Sequence, residues 1–148
     1  MVIKRHYYEI ENMAHLTDKE YSHIQYMSHQ KALDINRILY HIDVLITDYS
    51  SIFYDFLVLD RPVIFSPFDL EEYQRIDREL YENYTDAVPG PVCKNWNEVI
   101  IELEKYFSNE DSYQTERKSV FNQFFKYSDK QNSERIINTI TNYLNSTA

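Results

Sequence analysis

The sequence predicts an α/β fold, in which a parallel sheet of short buried strands is flanked by helices and followed by further helices. Three observations carry this reading. Asp43-Val44-Leu45-Ile46-Thr47 and Val63-Ile64-Phe65 are compact apolar runs, the pattern of strands covered on both faces. Between them, and again after Pro89-Gly90-Pro91, apolar residues recur at helical spacing. Strand and helix therefore alternate, and alternation of this kind builds βαβ units with parallel strands.

Taken in order, Val2 and Ile3 begin a strand that ends near Arg5-His6, and residues 7–22 read as a loop with at most one helical turn. His23 to Met27 forms a second strand. Asp34 can cap a helix carrying Ile35, Ile38, Leu39 and Ile42. After the strand at 43–47, Asp48-Tyr49-Ser50-Ser51 turns the chain, and Ser50 or Ser51 caps a helix running to about Leu59. Asp60-Arg61-Pro62 breaks that helix, and Pro67 ends the strand at 63–65. Residues 69–81 read as a charged helix. Pro89-Gly90-Pro91 is a firm break. Three helices follow: Trp96 to Phe107, Tyr113 to Phe125, and one opening at Ser133. Their apolar positions, among them Phe121, Phe124, Phe125, Ile136, Ile137 and Ile140, read as core or inter-domain packing.

Composition narrows the function classes. The 148 residues suit one domain, and 43% hydrophobic content supports a core. Gly90 is the sole glycine, which excludes a Gly-rich phosphate loop of the Walker or dinucleotide type, because those loops need several residues without a Cβ. A formal net charge of −9 argues against nucleic acid and against an anionic membrane surface as partners. A small anionic ligand stays open, since local donors can overcome an unfavourable overall field. The single cysteine, Cys93, makes no internal disulfide, and no zinc-type Cys/His spacing occurs. His15, His23, His29 and His41 fit no metal spacing. No apolar run approaches the roughly 20 residues that span a bilayer. No signal-peptide pattern opens the chain, and a reducing cytoplasm is the expected compartment. The sequons Asn83-Tyr84-Thr85 and Asn145-Ser146-Thr147 read as chance matches. A strand at the first residues is an unusual opening, so the chain is expected to be part of a longer protein.

In open α/β sheets ligands bind at the carboxyl ends of the strands. Two polar clusters fall there, Arg5-His6 and Asp48-Tyr49-Ser50-Ser51. At the second, free backbone N–H groups of a helix start and serine hydroxyls form a cradle for phosphate without glycine. Plain capping by Ser50 and Ser51 explains the same residues, and Asp48 would repel phosphate, so it is read as orienting the turn or accepting from a hydroxyl.

The run Asp43-Val44-Leu45-Ile46-Thr47-Asp48-Tyr49-Ser50-Ser51, then Asp55, then Arg61-Pro62, resembles the signature of the CDP-glycerol glycerophosphotransferase family, the primases and polymerases of teichoic acids and related capsule polymers. Further matches keep the family order. Asp69 and Tyr73 follow the next strand. Arg78-Glu79-Leu80-Tyr81 stands where the family has Arg-Gly-aromatic-Tyr. Val88-Pro89-Gly90-Pro91 stands for Leu-Pro-Gly-Pro, and Lys4-Arg5-His6-Tyr7 for a basic residue followed by Pro, His and Pro. The resemblance covers roughly residues 1–107. Tyr7, Glu79 and Leu80 depart from the family pattern.

The resemblance implies a GT-B architecture of two Rossmann-like domains with the active site between them. This chain is similar to the C-terminal, donor-binding one, with 1–148 as a single CDP-alcohol-binding domain of a two-domain transferase. The implied reaction is attack of an acceptor hydroxyl on the polyol phosphate of CDP-glycerol or CDP-ribitol, releasing CMP, in wall teichoic acid or capsule synthesis. The acceptor is a polymer or lipid-linked chain held by the missing N-terminal domain. His6 is the implied catalytic residue, donating a hydrogen bond or charge to the diphosphate. Arg5, Asp48, Ser50, Ser51, Asp55, Asp69, Arg78 and Tyr81 are the implied donor-binding set. For Arg78 the competing role is a surface ion pair with Asp77, Glu79 or Glu82; for Tyr81, packing; for Asp69, helix capping. No cofactor or protein-bound metal is expected, with Mg²⁺ entering only alongside the diphosphate donor. The implied location is cytoplasmic, at the inner face of the membrane through the rest of the enzyme. Two other readings compete: a UDP-sugar-using GT-B glycosyltransferase domain, separated by nucleotide preference, and a non-catalytic remnant, separated by donor affinity.

Overall fold

The computed structural model of the chain describes residues 1–4, 22–27, 35–76 and 83–147. They form two compact units, Met1–Ile38 and Leu39–Ala148. In the first unit, β1 (Val2–Lys4) pairs in parallel with β2 (Gln25–Met27), Ile3 opposite Tyr26. The ammonium group of Met1 donates to the carbonyl of His23, and Gln25 N–H donates to the carbonyl of Met1, which closes that end of the pair. The second strand is thus shorter than the expected 23–27. Helix α1 (Ile35–Leu39) follows, ending three residues before Ile42, the last residue of its apolar pattern. The loop at 7–21 and the Asp34 cap lie outside the described residues.

The second unit is organised around β4 (Val63–Phe65), which lies beside β3 (Leu45–Thr47) in parallel, with Ile46 opposite Ile64. The helix between them is α2 (Ile52–Leu57), so 45–65 is one βαβ unit. All three β4 residues are fully buried, as the unbroken apolar run requires. β3 is only half buried at Leu45 and Ile46, and Asp43 and Val44 lie before it rather than in it.

Both edges of β4 are paired. On one side Leu45 N–H donates to Pro62 O and Ser66 N–H donates to Thr47 O. On the other, Phe65 N–H donates to Pro91 O and Cys93 N–H to Phe65 O, so Val92 pairs with Phe65 in parallel. Buried main-chain groups must be paired, and the segment after Pro-Gly-Pro supplies the second partner.

The side chains of β4 alternate between two layers. Ile64 packs with Cys93, Val99, Leu103 and Tyr106, hence against α5 (Trp96–Phe107). Phe65 meets Phe53 of α2 and Tyr84 of α4 (Tyr84–Ala87), ring centroids 5.3 and 6.2 Å apart, both edge-on. Helix α3 (Leu70–Ile76) covers part of the charged segment expected at 69–81, and residues 77–82 lie outside the described residues. The four-residue α4 was not apparent from periodicity, because one turn carries no repeat.

Helix α5 has the expected bounds and a reciprocal cap: the Asn95 side chain accepts from Glu98 N–H at 3.1 Å, while the Glu98 carboxylate accepts from Lys94 N–H at 2.7 Å. Helix α6 (Gln114–Phe124) is tied to α2 through Arg117, which is only 1% exposed. Its guanidinium donates twice to the Asp111 carboxylate, at 2.9 and 2.5 Å, and lies 3.6 Å from Asp60. Asp60 takes a left-handed conformation (φ 47°) just past α2, one of the few residue types that do so readily. In α7 (Asn132–Thr147) no residue is buried. Ile136, Ile137 and Ile140 are exposed, as is Phe124 of α6, whereas Phe121 and Phe125 stack at 4.8 Å. Of the two expected roles, core or inter-domain packing, the exposed α7 isoleucines do not take the first within the described residues, and Phe121 and Phe125 of α6 are half-buried. Among the described residues no helix is long and apolar enough to cross a membrane.

Two predictions follow from the packing. A Cβ on Gly90 would lie 2.2 Å from Val63 O and 3.1 Å from the Phe65 ring, so G90A must force β4 and the 89–93 segment apart. Urea denaturation is expected to register a loss of about 2–3 kcal/mol. The second concerns acid. The double hydrogen bond from Arg117 holds the Asp111 carboxyl below the usual carboxylate range. A depressed folded pKa gives stability that is present above the unfolded value and lost as pH falls through the folded one. The stability difference between the chain and D111N is therefore expected to be full at pH 5–7 and to shrink below about pH 4, measured by thermal unfolding across pH.

Candidate functional site

The βαβ unit places two loops side by side at the carboxyl ends of β3 and β4. Thr47 O accepts from the Ser66 N–H at 2.8 Å and the Ser66 hydroxyl at 3.3 Å, so the parallel pairing extends beyond β3 before the loops diverge. From Thr47 the chain turns through Asp48, Tyr49, Ser50 and Ser51 into α2. From Ser66 it passes Pro67 and Phe68 to Asp69 and α3.

The serines do not cap α2 as expected. Ser51 occupies the cap position in a helical conformation and makes no side-chain cap hydrogen bond. Ser50 Oγ accepts from Ile52 N–H only at 3.4 Å, a long contact. Both serines are exposed, as are Asp48 and, within the first turn of α2, Asp55. Helix α2 has six residues, so its dipole is small, and the hydroxyls and first amides are the main donors there.

A tyrosine cluster joins these loops. Tyr49 and Tyr73 stack with centroids 3.8 Å apart and planes 8° from parallel, and Tyr84 meets Tyr49 edge-on at 5.7 Å. The Tyr49 hydroxyl donates to Asp69 Oδ1 at 2.7 Å. The Tyr84 hydroxyl donates to the Asp48 carbonyl at 2.5 Å. Burial pushes both phenols well above their ordinary range, Tyr49 further through the bond to and charge of Asp69, Tyr84 further through Asp48. Both therefore stay protonated and act as donors at neutral pH. Asp69 Oδ1 is accounted for by Tyr49, while the Asp69 backbone carbonyl accepts from Tyr73 N–H at 2.9 Å.

Of the residues expected at the site, Asp48, Ser50, Ser51, Asp55 and Asp69 lie on the two loops and the first turn of α2. Arg5, His6, Arg78 and Tyr81 lie outside the described residues. The linking roles of Tyr49 and Tyr84 escaped the sequence reading. Their contacts cross 20 and 36 residues, and no local spacing announces them. Arg61, half of the Arg-Pro pair in the motif, has a framework role: its Nη1 donates to the carbonyls of Tyr40 and Ile42 at 2.8 and 2.6 Å. Burial, and then the charges of Glu102 and Glu98, push the Cys93 thiol up to about 11, which keeps it protonated in the core. Among the described residues no group of three or more His, Cys, Asp or Glu is arranged to hold a metal ion.

A parallel βαβ unit with hydroxyl- and carboxylate-bearing turns at its carboxyl end has the layout of ligand-binding α/β domains. The chain belongs to the CDP-glycerol:poly(glycerophosphate) glycerophosphotransferase family, whose model matches residues 1–142. The match extends past the roughly 1–107 span of the resemblance into the last helix. The teichoic acid ribitol-phosphate polymerase TarL of Staphylococcus aureus is 34% identical over 132 residues, 88% of this chain and 22% of that protein. A teichoic acid poly(glycerol phosphate) polymerase of Bacillus spizizenii is 32% identical over 135 residues, 91% of this chain and 32% of its own length. The solved structure of the wall teichoic acid polymerase TagF superposes with a TM-score of 0.72 at 25% identity, covering 99% of this chain and 35% of that one. The fold is thus α/β as expected, and corresponds to part of a GT-B fold. The chain spans about a fifth to a third of the length of these relatives.

The Tyr84 bond is testable by stability. Y84F keeps the ring against Phe65 and Tyr49 and leaves the Asp48 carbonyl without its donor. It is expected to cost about 1 kcal/mol in urea denaturation, with no change in helix content by circular dichroism.

Proposed function

We propose that this chain is the donor-binding part of a transferase that moves a polyol phosphate from a CDP-activated alcohol to an acceptor hydroxyl, in the synthesis of wall teichoic acid or a related capsule polymer. The observation that carries the reading is the coincidence of family membership with the β3–α2 turn. There the motif residues Ser50 and Ser51 present exposed hydroxyls at the carboxyl end of a parallel strand. Exposed serine hydroxyls beside the first amides of α2 are suited to a diphosphate. Asp48, Asp55 and Asp69 would repel phosphate, so in this reading they face hydroxyl groups of the ribose or polyol. The relatives include glycerol-phosphate and ribitol-phosphate enzymes, and CDP-glycerol and CDP-ribitol are both candidate donors.

Transfer to a hydroxyl requires a base on the acceptor and charge neutralisation on the departing CMP. In the proposed mechanism His6, with Arg5 and Arg78, supplies charge and hydrogen bonds to the diphosphate as the bond to CMP breaks. Tyr81 supports Arg78 or the phosphate. The acceptor hydroxyl is deprotonated from the remainder of a two-domain enzyme, which also holds the polymer or lipid-linked acceptor. Mg²⁺ enters only with the diphosphate. The enzyme works in the cytoplasm, at the inner face of the membrane through that remainder.

Calorimetric titration with CDP-glycerol, CDP-ribitol, UDP-glucose and CMP tests the proposal. A CDP-alcohol is expected to bind in preference to UDP-glucose, with affinity reduced at least about tenfold in H6A and in the S50A/S51A double variant, the loss of one or two charge-assisted hydrogen bonds. A folded chain that binds no cytidine nucleotide, or that prefers UDP-glucose, overturns it.

A further inference from the structure

Asp69 presents a difficulty for any site that takes a diphosphate, because a carboxylate there repels the ligand unless it is aimed at something other than phosphate. We infer that Tyr49 is a positioning residue: its hydroxyl fixes the Asp69 carboxylate so that the remaining oxygen, Oδ2, accepts a hydrogen bond from a hydroxyl of the activated alcohol or its ribose. This rests on the donor-site reading above and adds to it a residue and a direction of recognition.

The geometry behind it has three parts. Tyr49 stands in the β3–α2 turn next to Asp48 and Ser50, and Asp69 stands 20 residues away at the start of α3, yet the two meet at 2.7 Å. The Tyr49 ring cannot swing freely, since it is stacked on Tyr73 at 3.8 Å and held edge-on by Tyr84 at 5.7 Å. Tyr84 is itself buried and bonded to the carbonyl of Asp48, the residue preceding Tyr49. The phenol is thus an oriented donor with one target, Oδ1 of Asp69. Asp69 is exposed, and among the described residues Tyr49 is the donor to its side chain through Oδ1, which leaves Oδ2 as the acceptor for a ligand hydroxyl. An ionised carboxylate only accepts hydrogen bonds, and a polyol or ribose offers hydroxyl donors where a phosphate offers none. A surface carboxylate free to rotate would lose affinity to its own ordering, and the bond from Tyr49 removes that loss in advance.

The test uses the full chain, calorimetry and four forms: unsubstituted, Y49F, D69A and the double variant. Y49F retains the stacked ring and removes only the donor. Thermal unfolding is expected to stay near that of the parent, while CDP-glycerol affinity falls about three- to tenfold, the range of one oriented hydrogen bond. D69A is expected to fall at least as far, and Y49F is expected to add nothing in the D69A background, because its effect runs through that carboxylate. D69N keeps the Tyr49 bond through its amide oxygen but places an –NH2 donor where Oδ2 would accept: it should unfold like the parent yet bind CDP-glycerol less tightly than the parent. CMP, CDP-ethanolamine and CDP-glycerol distinguish the two hydroxyl sources. A loss seen with all three assigns the ribose, and a loss confined to CDP-glycerol assigns the polyol; both uphold the inference. Unchanged affinity in Y49F, or an equal Y49F loss with and without Asp69, overturns it while the donor-site reading stands. Absence of cytidine-nucleotide binding by the folded parent overturns both.

Discussion

The structure of the 39–148 unit depends on the complete burial of β4. A three-residue strand with no exposed surface must have its main chain paired on both edges and its side chains covered on both faces. β3 takes one edge and the Pro91–Cys93 segment takes the other. Ile64 draws α5 onto one face, and Val63 and Phe65 face the layer that holds α2 and α4. The sole glycine follows from the same demand. Only a residue without a Cβ lets the backbone at position 90 approach Val63 O closely enough for the next residues to pair with Phe65.

That burial also positions the loops at the carboxyl ends of the two strands. Because β3 and β4 are parallel and in register, their carboxyl ends finish together, and the Thr47–Ser66 bonds keep them together for one residue more. The loops then diverge under a second constraint, the tyrosine cluster. Tyr84 packs on Phe65 of the core and bonds to the Asp48 carbonyl. Tyr49 stacks on Tyr73 and bonds to Asp69. Core packing is thus carried outward to polar groups through aromatic rings whose apolar faces lie inward and whose hydroxyls lie at the loops.

The α2–α6 contact solves a different problem. Arg117 is almost wholly buried, and an isolated buried cation is costly. Asp111 takes two of its hydrogen bonds, and Asp60, turned out of α2 in a left-handed conformation, adds a second carboxylate. Helix α7 is held at its start by an exposed pair instead, Arg135 donating twice to the Asp129 carboxylate. Its isoleucines are exposed, in keeping with a chain that spans only part of its relatives' length.

The sequence by itself determined the βαβ order, β4 to the residue, α5 to the residue, and the break at Pro89-Gly90-Pro91. These are local properties: an apolar run, a helical period, and residues that cannot continue either element. The turn Asp48-Tyr49-Ser50-Ser51 between β3 and α2 was also legible, because its residues are consecutive. Tertiary structure decided the rest. Whether a serine caps a helix depends on backbone angles in the turn, and Ser51 adopts helical ones. Whether Ile136 and Ile140 form core depends on what packs against α7, which their spacing cannot reveal. The bonds from Tyr49 to Asp69 and from Tyr84 to Asp48 join residues 20 and 36 positions apart. Only the pairing of two parallel strands, with a helix laid over them, brings such residues within hydrogen-bond distance.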